Sequence, residues 1–223
     1  MYGKLPTVIC QQSVTSTWKR DFKTLYMPIK MAGNHEIRLC EFFKPFESPL
    51  IGTACCDYVG TFGLNTFMDS YLYMTAKRSL QKEGSLLNRE GWHCDGFDSD
   101  DISYIWSDSV KSPTVFNTSL FNLSNDDQQS LIEMDEQALL ENDVTYPANT
   151  LHRMDQYVVH RPMKSVEVEY RTFLKLVFSK DKFDLEGNTH NGLFNYDWPM
   201  YPRSNVRNVP QSVKSIKSWL PCF

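Results

Sequence analysis

At 223 residues, with 41% apolar, 13% aromatic and 22% charged side chains, the chain has the composition of a folded globular domain and the length of one such domain rather than two. Disorder, collagen-like repeats and coiled coils are excluded. The 27 acidic residues outnumber the 23 basic ones, for a formal charge of −4, which argues against attachment to nucleic acid by overall charge but leaves a local grip on nucleic acid open.

The first residues carry no charged stretch followed by an apolar one, and no run approaches the roughly 18 apolar residues that span a bilayer. A cytoplasmic protein without a membrane segment is expected. Its six cysteines, Cys10, Cys40, Cys55, Cys56, Cys94 and Cys222, are spaced irregularly, so they encode neither a disulfide framework nor a zinc ribbon and read as free thiols.

In chain order, Trp18, Phe22 and Leu25 share one face of a helix expected over 13–25. Short segments rich in β-branched and aromatic residues follow, parted by turn residues, as in an all-β sandwich or barrel. Strands are expected at 37–43, 70–77, 91–95, 102–107, 114–117, 151–154, 157–160 and 170–179. The clearest helix covers 126–141. Ser124 or Asn125 would cap it, Asp126 and Asp127 suit the positive end of its dipole, and Leu131, Met134, Ala138 and Leu139 keep helical spacing. This helix should lie across one sheet. No repeat or linker divides the chain, so a single domain over 1–223 is expected. It ends in a basic, proline-punctuated extension from about 200 to 223 (Tyr201, Pro202, Arg203, Arg207, Pro210, Lys214, Lys217) that should pack along the domain edge.

The strongest chemical signal is Gly91-Trp92-His93-Cys94-Asp95-Gly96-Phe97. Side chains alternate along a strand, so His93 and Asp95 would project from one side and could share a metal ion. Alone, His-x-Asp is a weak pattern. Further along, His160 closes the Tyr157-Val158-Val159 run, and Arg171 opens the next β run eleven residues later. Two histidines and one carboxylate on a metal leave positions open, the arrangement that non-haem Fe(II) oxygenases use. A nearby arginine offers a planar, permanently charged fork for a carboxylate cosubstrate.

At these residues the chain resembles the Fe(II)- and 2-oxoglutarate-dependent oxygenases, whose fold is the double-stranded β-helix, a cupin-like jelly-roll. The family motif is His-x-Asp, then a distal His, then an Arg about ten residues on. It maps onto His93, Asp95, His160 and Arg171, and the strand order fits over about 71–179, half of the chain. Stretches 88–97 with 101–106, 158–162 and 171–179 look like phage and other viral members, which implies a host cytoplasm. The resemblance implies a mainly β fold with a few flanking helices, and Fe(II) held by His93, Asp95 and His160. It implies 2-oxoglutarate chelating that metal through its C1 carboxylate and keto oxygen, its C5 carboxylate paired with Arg171, and a substrate hydroxylated with release of succinate and CO2.

One position departs from the family pattern. Many members place Ser or Thr two residues after the arginine, in contact with the same carboxylate, and here that residue is Phe173. The missing contact would come from Tyr104 or Thr114. Strand parity also sets Lys175 on the face of Arg171, where it reads as a surface or barrel-mouth lysine, lysine being rarely buried unpaired.

His152 lies nineteen residues before Arg171 and one strand too early to be the distal ligand, so it reads as a strand residue facing the sheet or solvent. His35 reads as a turn residue and His190 as a loop residue. Trp92, Phe97, Tyr104 and Trp106 either fill the barrel or stack on a planar substrate, and filling is the commoner use. Asp98, Asp100 and Asp101 do not fit an EF-hand loop and read as a solvated turn. Arg89 is a surface charge or a contact for an anionic substrate. Two alternatives stand beside the oxygenase: a catalytically inactive jelly-roll binding or structural protein, which should have lost one of the four motif residues, and a cupin-type Zn or Mn hydrolase or isomerase, which has no use for Arg171. The substrate stays open among small molecules, nucleotides or nucleic acid, and protein side chains, because specificity lies in loops.

Overall fold

The computed structural model describes residues 1–15, 18–86 and 88–203. The tail residues Arg207, Pro210, Lys214 and Lys217, and Cys222, lie outside the described residues. Among these described residues, nine strands form two antiparallel sheets. They are β1 (Thr7–Gln11), β2 (Phe22–Lys30), β3 (Tyr71–Gln81), β4 (Ile102–Ser107), β5 (Thr114–Asn117), β6 (Asp143–Thr145), β7 (Thr150–Met154), β8 (His160–Pro162) and β9 (Glu169–Ser179). The larger sheet has the order β1-β7-β4-β9-β3-β2 and the smaller the order β6-β5-β8. The segment around His93 joins the open edge of the smaller sheet through one bridge to His160. From Tyr71 to Ser179 the chain visits larger, smaller, larger, smaller, smaller, larger, smaller and larger sheet in turn (β3, the His93 segment, β4, β5, β6, β7, β8, β9). That winding is the double-stranded β-helix, or jelly-roll.

Alternation along the strands separates two cores. On the outer face of the larger sheet, Leu72, Met74, Ala76, Tyr104, Trp106, Leu174, Leu176 and Phe178 pack against a helical layer through Phe46, Leu50, Ile51, Ala54, Tyr58 and Phe67. This layer comprises a 3-10 turn (Glu41–Phe46), a π-helical turn (Glu47–Gly52) and helices α1 (Thr53–Phe62) and α2 (Leu64–Asp69). On the inner face, Ile105, Met154 and Phe173 meet Phe116 and Val158 between the sheets. Helix α3 (Asp127–Gln137) covers the smaller sheet, its Leu131 and Met134 packing with Val115 and Val159.

Several local expectations are corrected. The 13–25 helix gives way to β2 from Phe22 onward. The periodic aromatics converge by tertiary packing instead: the Trp18 indole N–H donates to the Phe42 carbonyl at 2.9 Å and its ring meets Phe22 and Phe46. The 37–43 strand is replaced by extended chain and the 3-10 turn, where Pro45 has no N–H for a ladder and Phe43 and Phe46 face the helical layer. The 157–160 strand forms later, as β8. The cap of α3 is Asp126, whose Oδ1 accepts from the Gln128 and Gln129 amides, and the helix stops at Gln137, before Ala138 and Leu139. Helices α1 and α2 carried little signal, because Thr, Val, Gly and two cysteines dilute α1.

Two polar contacts tie the helical layer to the sheet. Lys30 is fully buried, and its Nζ donates to the carbonyls of Ser70 (2.5 Å), Met31 and Met68, satisfying the end of α2. Asp57 on α1 accepts from Tyr104 Oη (2.7 Å) on β4 and Arg153 Nη1 (2.6 Å) on β7. Among the described residues, no helix is long and apolar enough to cross a membrane.

The Phe178 ring stacks on Tyr58 with centroids 3.9 Å apart at the centre of this layer. Phe178→Ala should lower the unfolding free energy by about 3–5 kcal/mol, measured by urea denaturation; a loss below about 1 kcal/mol would show that the site collapses around the deletion.

Candidate metal centre

His93, Asp95 and His160 come together where the His93 segment meets β8. Their ligand atoms all lie within 4.8 Å of one another. The two histidines are bridge partners, exchanging backbone bonds of 3.0 Å (His93 N–H to His160 O) and 2.9 Å (His160 N–H to His93 O). Both rings are buried, with centroids 4.5 Å apart. His93 Nδ1 sits 2.9 Å from the Gly91 carbonyl and His160 Nδ1 3.2 Å from the Val158 carbonyl. A carbonyl can only accept, so each Nδ1 carries the proton and each Nε2 keeps its lone pair. That is the tautomer a metal ligand needs, fixed by its outer hydrogen bond.

Asp95 is held from two sides. Lys175 Nζ donates to its Oδ1 at 2.6 Å, and its Oδ2 lies 3.6 Å from His160 Nε2. Burial alone would raise this carboxyl, but Lys175 and the His160 and His93 rings outweigh burial and hold it well below the usual carboxylate range. Burial pushes His93 down to about 3, helped by His160, and lowers His160 as well. The cluster thus presents two neutral imidazoles and a carboxylate at neutral pH. Two nitrogens and one oxygen with no thiolate suit a borderline divalent ion such as Fe(II), and the three donors suit a centre with positions left open. Gly96 follows at φ +68°, where a Cβ would stand 2.8 Å from Ser99 Oγ and 3.1 Å from Asp101 Cβ, so the tight turn after the ligand segment requires glycine.

Strand β9 contributes the charges behind the cluster. Arg171, Phe173, Lys175 and Val177 alternate with Thr172, Leu174, Leu176 and Phe178, and the latter three face the helical layer. Arg171 is wholly buried, and none of its three side-chain nitrogens has a hydrogen-bond partner. Burial brings it down to about 10, so it stays charged. The nearby carboxylates are engaged elsewhere: Asp108 accepts from the Thr172 amide at 2.6 Å and Glu169 accepts from Ser109. Lys175 is corrected from a surface or mouth residue to the buried partner of Asp95, its side chain only 12% exposed.

Of the two residues expected to supply the missing contact, Tyr104 is turned away from Arg171, while Thr114 has the parity of the inward-facing Phe116. Tyr104 faces the helical layer, on the opposite side of the sheet, and its hydroxyl is taken by Asp57. Thr114 lines a narrow cavity of about 30 Å³ with Ser107, Ser109 and His152 and makes no hydrogen bond to the guanidinium. His152 stays out of the cluster but is buried, not solvent-facing; its ring packs between Tyr146 and Phe116. Trp92 fills the core under α3, its ring covered by the Arg161 guanidinium at 4.2 Å, and Trp106 is core as well. His35 is exposed, and His190 stacks on Tyr196 away from the cluster.

A cavity of about 410 Å³ opens beside Asp95 and Lys175, with Tyr26, Arg89, Phe97, Asp101, Phe183 and Arg203 in its wall. Arg89, read as a surface charge or a contact for an anionic substrate, and Asp101, read as part of a solvated turn, both line this cavity. Tyr26 was not foreseen. It sits at φ +44° where the pairing of β2 with β3 slips between Thr24 and Met27, a bulge that re-aims its ring toward Lys175, 5.6 Å away. The described part of the basic extension supplies Arg203 to this wall.

Titration with Co(II), followed by its visible absorption, checks the ligand set. His160→Ala should weaken binding by more than about tenfold, since loss of a ligand exceeds loss of its outer partner, and His152→Ala should leave it unchanged.

Comparison with known proteins finds no matching family model and no matching curated protein. Among solved structures, the chain is similar to EvdO2 from Micromonospora carbonacea var. aurantiaca (14% identity, TM-score 0.42, 60% of this chain and 61% of that chain). It is similar to the same protein complexed with 2-oxoglutarate (12%, 0.41, 68% and 76%). It is also similar to an oxidoreductase of the 2OG-Fe(II) oxygenase family from Burkholderia pseudomallei (12%, 0.40, 74% and 71%). The chain spans about three fifths of the length of the first of these structures.

Proposed function

We propose that this protein is an Fe(II)- and 2-oxoglutarate-dependent dioxygenase that hydroxylates a substrate lodged in the cavity beside Asp95. The observation that carries this reading is the pairing, in one sheet-enclosed space, of an open two-histidine, one-carboxylate cluster with a buried arginine that packs on the Phe173 ring and has no hydrogen-bond partner. A buried guanidinium with unmet donors costs several kcal/mol, and a carboxylate brought in by a ligand removes that cost. A metal hydrolase would leave Arg171 unexplained.

In this reading His93, Asp95 and His160 hold the iron, which when bound supplies dioxygen activation. The balance is one 2-oxoglutarate, one O2 and one substrate C–H giving succinate, CO2 and the hydroxylated product. The chain's own residues do the positioning. Arg171 takes the distal carboxylate of 2-oxoglutarate through its planar fork. Lys175 occupies Asp95 Oδ1, so that Oδ2 is the oxygen left to face the metal. The Nδ1–H bonds to Gly91 and Val158 keep both rings turned. Phe173 and Ile105 exclude water from the inner face. Tyr26, Phe97 and Phe183 offer aromatic surface to the substrate, and the charge of the wall is mixed, with Arg89 and Arg203 set among Asp101, Asp181 and Asp184; the aromatic surface suits a small molecule or a nucleotide, and the charge does not choose between them.

Anaerobic addition of Fe(II) and 2-oxoglutarate should give a weak visible charge-transfer band; folded, metal-loaded protein without one would refute the proposal. Arg171→Leu should weaken 2-oxoglutarate binding by about 10- to 100-fold with Fe(II) binding retained, and unchanged cosubstrate affinity would remove Arg171 from this role. Succinate formation screened over nucleotides, DNA, RNA and amino acids then identifies the substrate class.

A further inference from the structure

Phe173 stands two residues after Arg171, where a hydroxyl would be of use to a bound carboxylate. In the antiparallel pairing of β3 with β9, the residue directly opposite Phe173 is Lys77. Opposed residues of an antiparallel pair share a face. Leu72, Met74 and Ala76 of β3 belong to the helical layer, so Lys77 and Ser79 project to the inner face with Arg171, Phe173 and Lys175. Arg171 pairs with Ser79 and Lys175 with Thr75, which makes Lys77 the diagonal neighbour of both at about 7–8 Å, within reach of long side chains.

Three cations of β3 and β9 therefore share one inner surface, with the exposed Lys23 of β2 opposite Lys77 at its edge. Lys175 has Asp95. Arg171 has no hydrogen-bond partner, and Lys77 has a single long bond of 3.4 Å to Asn88 Oδ1. Lys30 shows what a buried lysine looks like when its role is structural, with three carbonyls around its ammonium. Lys77 has no such set. Arg171 is buried with unmet donors, and the half-buried Lys77 stands beside it, so an anion reaching both would relieve the desolvation of the one and the repulsion between the two.

We infer that Lys77 is the second anchor of the distal carboxylate of 2-oxoglutarate, acting with Arg171 and supplying across the strand the contact that Phe173 cannot make. The inference rests on the dioxygenase reading. Lys77 selects for charge at the far end of the 2-oxo acid and has no part in holding the metal. The electrostatics agree: burial brings Lys77 down to about 8, with Lys23, Arg171 and Lys175 adding to the shift, and a bound carboxylate would reverse this.

The test titrates two acids into Co(II)-loaded protein: 2-oxoglutarate, and 2-oxopentanoate, which has the same carbon chain with a methyl in place of the distal carboxylate. Lys77→Met should weaken 2-oxoglutarate by about tenfold, leave 2-oxopentanoate and Co(II) affinity unchanged, and Lys77→Arg should restore most of the loss. Lys77→Gln repeats the measurement with a second neutral side chain, and thermal melting confirms that each variant is folded. Equal 2-oxoglutarate affinity in wild type and Lys77→Met, or an equal loss for both acids, overturns the role of Lys77 alone. Wild type that binds Co(II) but not 2-oxoglutarate overturns the dioxygenase reading and this inference with it.

Discussion

Every second residue of β9 faces the space between the sheets, and the register of that strand is held on both flanks, by β3 along its full length and by β4 over its second half. A slip of one residue would send Leu174, Leu176 and Phe178 into the charged interior and drive Arg171 and Lys175 into the helical layer. The packing of the outer core therefore fixes where the inner cations stand. Their desolvation is a cost the fold carries, and the outer aromatic and aliphatic contacts, about 1.5–3 kcal/mol for each large side chain buried, are where the offset comes from.

Buried charge is treated in two ways in this protein. Lys30 and Asp57 are closed networks that stitch helix to sheet, the first through three carbonyls, one of them at 2.5 Å, and the second through two donors at 2.6 and 2.7 Å. At the centre the pairing is partial. Lys175 satisfies one oxygen of Asp95, the histidines have their Nδ1 atoms bonded and their Nε2 atoms turned inward, and Arg171 has the Phe173 ring but no hydrogen-bond partner. Satisfied polar groups stabilise a fold, whereas convergent unsatisfied ones describe the shape of a missing ligand.

The site was more legible in the sequence than the fold around it. His93 and Asp95 were readable as a pair because strand parity is a local property, and His160 and Arg171 because their spacing resembles a known family motif; the structure brings the three ligand candidates into one cluster with Arg171 on the inner face. Parity also put Lys175 on that face, but nothing local said that Asp95 waits beside it. Tyr104 illustrates the limit: the strand was correct, yet which face it turned inward depended on α1 and Asp57, forty-seven residues away. Lys77 was invisible for the same reason, since its meaning comes from the residue across the sheet. The 13–25 and 37–43 segments failed because aromatic residues at mixed spacing were gathered by tertiary packing, which overrides local periodicity.

The single bridge between His93 and His160 has a dynamic consequence. Strands of the larger sheet share long ladders, but the arm that carries two of the three ligand side chains is joined to β8 by one reciprocal pair of backbone bonds, with the Trp92 amide tied to Asp135 as a further tether. Such a segment opens at a free energy well below that of global unfolding. An ion held by His93 and Asp95 on the arm and by His160 on β8 would work as a clasp, spending part of its binding energy on closing the arm. Hydrogen exchange at the amides of 91–96 thereby becomes a register of whether the clasp is shut.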